Sequence, residues 1–199
     1  GIRWFDCTVT GMEAHAGPTP MALRKDSLLA ATRIMQDVVA AAHRHPPHGR
    51  GTVGMVQVFP NSRNVIPGRV KFSIDLRNAT DALVDTMADE VKAFAAKVAK
   101  ENGVDVKIEM VSSYSAIAFH PDCVDAVGRA AKKLGYSHMP AVSGAGHDAV
   151  YMAKLAPSGM IFIPCKDGIS HNEIEDAKPE HITAGCNVLL HAMLERAGV

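Results

Sequence analysis

The sequence carries no excess charge of either sign, since Lys+Arg 21 is balanced by Asp+Glu 21 over 199 residues, a formal net charge of +0. A chain without a net field has nothing to draw it onto nucleic acid or an anionic membrane surface. Neither is expected as a partner, and a small neutral or zwitterionic molecule fits better. Long apolar runs are also missing: the longest stretches fall far below the roughly 18 residues of a membrane span. The first residues, Gly1-Ile2-Arg3-Trp4, have no signal-peptide layout, so a cytoplasmic protein is expected. The four cysteines, Cys7, Cys123, Cys165 and Cys186, stand apart with no Cys-x-x-Cys pair. That argues against a structural zinc site or a disulfide framework and leaves burial as their expected role. With 47% hydrophobic residues, the chain can still build one or two small cores.

Periodicity organises the first 115 residues. Arg3–Thr10 alternates, with Phe5, Cys7 and Val9 on one face, and enters without a leading Met or cap, as a chain starting in mid-protein would. After the turn-rich stretch Gly11–Pro20, Asp26 can cap a helix carrying Leu28, Ala31, Met35 and Val38 at helical spacing. The segment His43–Gly51, with three His and two Pro, ends that helix and reads as a solvated loop before a strand over Thr52–Phe59. Residues 69–77 form the clearest strand, with Val70, Phe72, Ile74 and Leu76 on one side and charged or polar residues on the other. Asp81 opens a helix with Val84, Met87, Val91, Phe94 and Val98 inward, closed by Gly103, and a strand follows with Val104, Val106, Ile108 and Met110 inward. The order βαββαβ predicts a ferredoxin-like domain over residues 1–115, two helices on a four-stranded antiparallel sheet.

Residues 116–199 predict an α/β segment instead. Helices are expected at Asp122–Leu134, at about Asp148–Leu155, and from Glu180 to about Arg196 with Ile182, Cys186, Leu189 and Met193 on one side. The apolar run Met160–Pro164 predicts a strand buried on both faces. One such strand needs sheet neighbours, and only Tyr136–Val142 offers a weak candidate, so these residues are expected to be part of a larger catalytic domain.

Four stretches look chemical. His171, in the loop Gly168–Glu175 just beyond the apolar run, is a candidate metal ligand, with Ser170, Asn172 and Glu173 available to orient it. His15 is framed by Gly17, Pro18 and Pro20, which either hold it for binding or merely end a strand. Asn64 lies in a loop between Pro60 and Pro67, and Arg77 ends a strand on its polar face, where a planar guanidinium suits a carboxylate. Gly144, Ala145 and Gly146 precede His147 and Asp148, and either let backbone N–H groups approach an oxygen or form a plain turn before a helix.

Five motifs together resemble the carbamoylase branch of the aminoacylase/carboxypeptidase-like metallopeptidase family. They are Ala-His-Ala-Gly-Pro-Thr-Pro-Met at 14–21, Asn-Val-Ile-Pro-Gly at 64–68, Asp-Leu-Arg at 75–77, Ser-Gly-Ala-Gly-His-Asp-Ala at 143–149 and Ser-His-Asn-Glu at 170–173. The resemblance spans the chain, which looks like the family's lid domain plus its carboxyl-terminal catalytic segment. It implies a metal-dependent amidohydrolase that cleaves the ureido C–N bond of an N-carbamoyl-L-amino acid, with allantoate or another ureido acid as the alternative substrate. A non-catalytic dimerisation or ligand-binding module is a third reading. The implied cofactor is a divalent metal, two per active site in the complete enzyme (Zn, Mn, Co or Ni), with His171 as one ligand. By the same resemblance His15 polarises the scissile carbonyl, Asn64, Arg77 and Gly144–Gly146 bind substrate, and the lid forms a homodimer. The family's other ligands, a His-x-Asp pair, adjacent glutamates that include the general base and a further His, belong to an amino-terminal segment. They are expected to be absent here, so the chain by itself should be inactive.

Overall fold

In the computed structural model, which describes residues 1–199, the central strand of the first unit is β1 (Ile2–Thr10), and its alternation buries Phe5, Cys7 and Val9. The chain then runs through β2 (Ala14–His15), α1 (Ser27–Arg44), β3 (Arg50–Thr52), β4 (Val56–Phe59), β5 (Val65–Ile66), β6 (Arg69–Arg77), α2 (Asp81–Asn102) and β7 (Asp105–Tyr114). β1 pairs antiparallel with β6 on one side and β7 on the other, and β3 and β4 both pair with the outer edge of β6. The order β3/β4, β6, β1, β7 is that of the ferredoxin-like βαββαβ fold. The unit comprises Gly1–Ala116 together with Val142–Gly144.

The helices form because one face of each is apolar and its ends are capped. Asp26 accepts from the N–H groups of Leu28 and Leu29, and α1 buries Ala30, Ala31, Ile34, Val38 and Ala41. Thr80, one residue before the expected start, caps α2 through Leu83 N–H, and Gly103 closes it at φ +60, a conformation that costs glycine least. Val84, Met87, Ala88, Val91, Ala95 and Val98 face a single core shared with Val70, Phe72, Ile74 and Leu76 of β6.

Three sequence expectations change in this unit. The strand expected over Thr52–Phe59 is broken: Val53, Gly54 and Met55 stand opposite Ser73 and Ile74, three residues against two, the one-residue excess of a β-bulge. Ser73 holds the break, donating its N–H to the Met55 carbonyl at 3.1 Å and accepting the Met55 N–H on its hydroxyl at 3.0 Å. Met110, expected inward, is 54% exposed, on an edge strand next to the point where the β1–β7 register shifts. His45 is not a solvated loop residue. It is half-buried, with Nε2 2.8 Å from Glu90 Oε1, while Arg44 bridges Glu90 and the buried Asp37.

The second unit, Ile117–Ala141 with Ala145–Val199, is helical: α3 (Pro121–Lys133), α4 (Asp148–Met152) and α5 (Pro179–Ala197). α3 and α5 meet through small residues, Ala126, Ala130 and Ala131 against Val188 and Ala192. The Arg129 guanidinium donates to Glu195 at 2.6 Å alongside them. The expected strand Met160–Pro164 does not form, and neither does one at Tyr136–Val142. A lone extended run has no neighbour for its backbone groups, so Ile161 and Ile163 lean partly buried beside the helices while Phe162 is exposed. The stripe on one side of α5 is open: Ile182, Leu189 and Met193 are exposed and, with Cys186, line an apolar groove together with Ile161 and Ile163. α4 stops at Met152, short of Leu155. Of the four cysteines only Cys7 is buried; Cys123 is intermediate and Cys165 and Cys186 are exposed. No helix is long and apolar enough to cross a membrane.

Candidate functional site

His15 and Asn64 are brought together by a two-residue ladder. β2 pairs with β5 so that His15 opposes Val65 and Ala14 opposes Ile66, and the Ala16 N–H donates to the Asn64 carbonyl at 2.8 Å. The framing of His15 is therefore structural and chemical at once. Its Nδ1 accepts the Gly17 N–H at 3.0 Å, and because a backbone N–H can only donate, the neutral ring carries its proton on Nε2. An exposed imidazole with Nε2–H outward of such a clamp can donate to a carbonyl or developing oxyanion. A Cβ at position 17 would stand 3.4 Å from the ring, so the glycine leaves the imidazole room. Beside it, Asn64 Oδ1 accepts the Ser62 hydroxyl at 2.9 Å, which orients the amide and leaves its N–H donors for a ligand.

Arg77 stands elsewhere. β6 begins at Arg69, just after β5, and ends at Arg77; at about 3.3 Å per residue its ends are about 26 Å apart. In one copy of the chain His15 and Asn64 therefore do not converge with Arg77 on a small molecule. At its own end of β6, Arg77 is tied to Asp75, two residues back on the same face: Nε lies 3.0 Å from Oδ1 and Nη2 2.7 Å from Oδ2. Nη1 donates to the Gly144 carbonyl at 2.8 Å. The hydrogen bond it donates to Asp75 raises the guanidinium's already high pKa, so the group is a permanent cation. Sequence reasoning placed Arg77 on the polar face and included Asp75 in the Asp-Leu-Arg motif without giving it a role, although the spacing Asp-x-Arg in a strand puts the two side chains side by side.

Gly144, Ala145 and Gly146 lie in an exposed turn. A Cβ on Gly144 or Gly146 would meet nothing within 4 Å, so neither glycine answers to crowding within this chain. His147, the cap residue before α4, has its ring against Phe162 in an edge-to-face arrangement, centroids 5.6 Å apart.

His171 lies in an exposed loop with φ +60, a left-handed conformation uncommon outside glycine and one that collects at functional sites. Its backbone N–H donates to Glu175 Oε2 at 2.8 Å, and Nδ1 lies 2.7 Å from the Ser170 hydroxyl. When Nδ1–H donates to that hydroxyl, Nε2 presents the lone pair a metal requires. Ser170 thus orients the ring as expected. Glu175, not Glu173, braces its backbone, and Asn172 instead accepts from Ile174 N–H. No group of three or more His, Cys, Asp or Glu side chains in the chain can hold a metal ion. One imidazole is one ligand, and a metal does not fit these residues alone.

A His-x-Asp spacing does occur, contrary to expectation, at His120-Pro121-Asp122, but its role is local. The His120 Nδ1 accepts the Asp122 N–H at 3.3 Å and caps α3. No adjacent glutamates occur.

Against known proteins, the profile of peptidase family M20/M25/M40 matches residues 10–195. The chain is 46% identical over 199 residues to an N-carbamoyl-L-amino-acid amidohydrolase of Rhizobium meliloti, covering 100% of this chain and 48% of that protein. To an allantoate amidohydrolase of Bacillus subtilis (strain 168) it is 30% identical over 197 residues, again 48% of the relative. Among solved structures, an amidase of the hydantoinase/carbamoylase family from Burkholderia multivorans superposes with a TM-score of 0.94 at 54% identity, over 98% of this chain and 48% of that one. The chain spans about half the length of the curated relatives it matches.

Proposed function

Because the chain belongs to peptidase family M20/M25/M40, whose amidohydrolases act on C–N bonds and generally depend on divalent metal, we propose that it is the lid domain and carboxyl-terminal catalytic segment of an N-carbamoyl-L-amino acid amidohydrolase. In this reading residues 1–115 are the lid and 116–199 part of the catalytic domain. The observation that carries the reading is the Arg77 guanidinium, braced and half-buried, which suits an α-carboxylate. An N-carbamoyl amino acid is favoured over allantoate because identity to relatives of the first kind reaches 46% and to those of the second 30%.

This chain's residues take four roles in the reaction. Arg77 holds the carboxylate, Asn64 and the Gly144–Gly146 turn bind the rest of the substrate, and the His15 Nε2–H donates to the oxygen on which charge develops as the ureido carbon becomes tetrahedral. His171 would contribute one ligand to a two-metal centre (Zn, Mn, Co or Ni) whose remaining ligands would come from outside this chain, and the metal would supply an activated water there.

The separation of His15 and Arg77 along β6 supports a homodimer formed through the lid, in which His15 and Asn64 of one copy meet Arg77 of the other. β7, ten residues long, is an edge of the sheet with Met110 and Val111 exposed, and an edge of this kind invites pairing. The decisive experiment is ammonia release by the full-length protein on N-carbamoyl-L-amino acids and on allantoate, before chelation and after metal is restored. Turnover of the carbamoyl acids at higher kcat/KM supports the reading; preference for allantoate selects the alternative.

A further inference from the structure

We infer that Asp75 is a positioning residue that sets the aim of Arg77, and so decides how strictly the site demands a planar carboxylate. The inference rests on the proposed role of Arg77 and goes beyond it. A guanidinium has five N–H groups in one plane. Asp75 engages it edge-on, with Nε at 3.0 Å from Oδ1 and 3.2 Å from Oδ2 and Nη2 at 2.7 Å from Oδ2. The Gly144 carbonyl takes Nη1 at 2.8 Å. These contacts use the Nε–H, one N–H of Nη2 and one of Nη1, which leaves one N–H on each terminal nitrogen. Two donors on neighbouring nitrogens of a fixed plane form a fork matched to the two oxygens of a carboxylate.

Without Asp75 the long side chain of Arg77 is held by one hydrogen bond. The strand alone does not aim it, because Arg50 lies directly opposite Arg77 across β3 and β6, and two cations at such a position repel. The Arg50 Nη1 is turned to the carbonyls of Pro47 and Gly49, and Asp75, opposite Thr52, supplies the counter-charge on the Arg77 side. Both partners are about one quarter exposed, Arg77 at 28% and Asp75 at 26%, so the pair is neither buried deeply enough to be a core ion pair nor loose enough to be a solvated one.

The test uses the full-length protein, a carbamoyl amino acid and the same compound with its carboxylate replaced by an amide. Asp75→Asn keeps shape and one acceptor but loses the edge-on clamp. It is expected to lower kcat/KM for the acid about tenfold, leave the amide within twofold, and leave the melting temperature unchanged. Asp75→Glu, which keeps the carboxylate, should recover part of the loss. Arg77→Ala should also be selective for the acid, and Asp75→Asn added to it should cost nothing more, since both act through one group. If Arg77→Ala is acid-selective while Asp75→Asn slows acid and amide equally, or neither, Asp75 is structural and this inference falls with the carboxylate role of Arg77 intact. If Arg77→Ala slows both substrates equally, the carboxylate role itself falls and Asp75 with it.

Discussion

The buried guanidinium of Arg3 donates to Asp85 at 2.8 Å and to Asp81 at 3.3 Å, fastening the first residues of β1 to the first turns of α2. It also donates to the carbonyls of Ile2 and Tyr114, so one side chain ties two adjacent strands to a helix. Alternation puts Arg3 on the same face as Phe5, Cys7 and Val9, and a guanidinium is buried there only because carboxylates of α2 meet its charge.

That meeting is measurable. Arg3→Ala should lower unfolding free energy by about 2 kcal/mol, the size of a lost set of hydrogen bonds to charged groups whose carboxylate partners remain solvated. Arg3→Lys should recover less than half, because an ammonium cannot grip Asp81, Asp85 and a carbonyl in one plane. Urea denaturation with an unchanged m-value checks it; a loss below about 0.5 kcal/mol would show that the carboxylates, not the fork, set the helix position.

For His15, substitution by Ala in the full-length enzyme should lower kcat about 100- to 1,000-fold with little change in KM, as for a donor to a developing oxyanion. Its position relative to Arg77 gives a second measurement. Mixing His15→Ala and Arg77→Ala proteins under subunit exchange should restore about a quarter of wild-type activity, since half the dimers are mixed and one of their two sites is intact. No restoration would show that His15 and Arg77 do not act in one shared site.

Replacing His171 by Ala should reduce metal content and activity together while leaving the melting profile of the metal-free protein in place. The isolated chain of 199 residues should retain no metal after dialysis, because it offers no three-ligand group. Elemental analysis decides both, and full occupancy in the variant would remove His171 from the ligand set.

Acid should loosen the junction of α1 and α2. The hydrogen bond from His45, followed by that from Arg44, holds the Glu90 carboxyl below its ordinary value of 4.5. A depressed carboxylate stabilises the folded state above that ordinary value, and the contribution disappears as pH falls through the lower folded value. Melting temperatures between about pH 3 and pH 6 should therefore fall less steeply for Glu90→Gln than for wild type. Parallel curves would mean that the pair contributes nothing at this junction.

The first unit was largely legible in the sequence because its signals are local and repeated. β1, β6 and α2 each carry an apolar set at one period, and Asp26 and Gly103 mark a helix start and a helix end by chemistry that needs no distant partner. The second unit was not. Met160–Pro164 has the composition of a buried strand, but a strand exists only where another backbone pairs with it, and none does here.

The same division runs through the site. Residue type and motif by themselves brought out His15, Asn64, Arg77 and His171, since an imidazole or a guanidinium announces its chemistry in any context. Tertiary structure decided that His15 and Asn64 share a ladder, that the length of β6 keeps them from Arg77, that Glu175 rather than Glu173 braces His171, and that Asp75 occupies the edge of the Arg77 guanidinium. Side-chain chemistry is a property of one residue, but distance and orientation belong to pairs of residues and are fixed only when strands and turns carry them to their places.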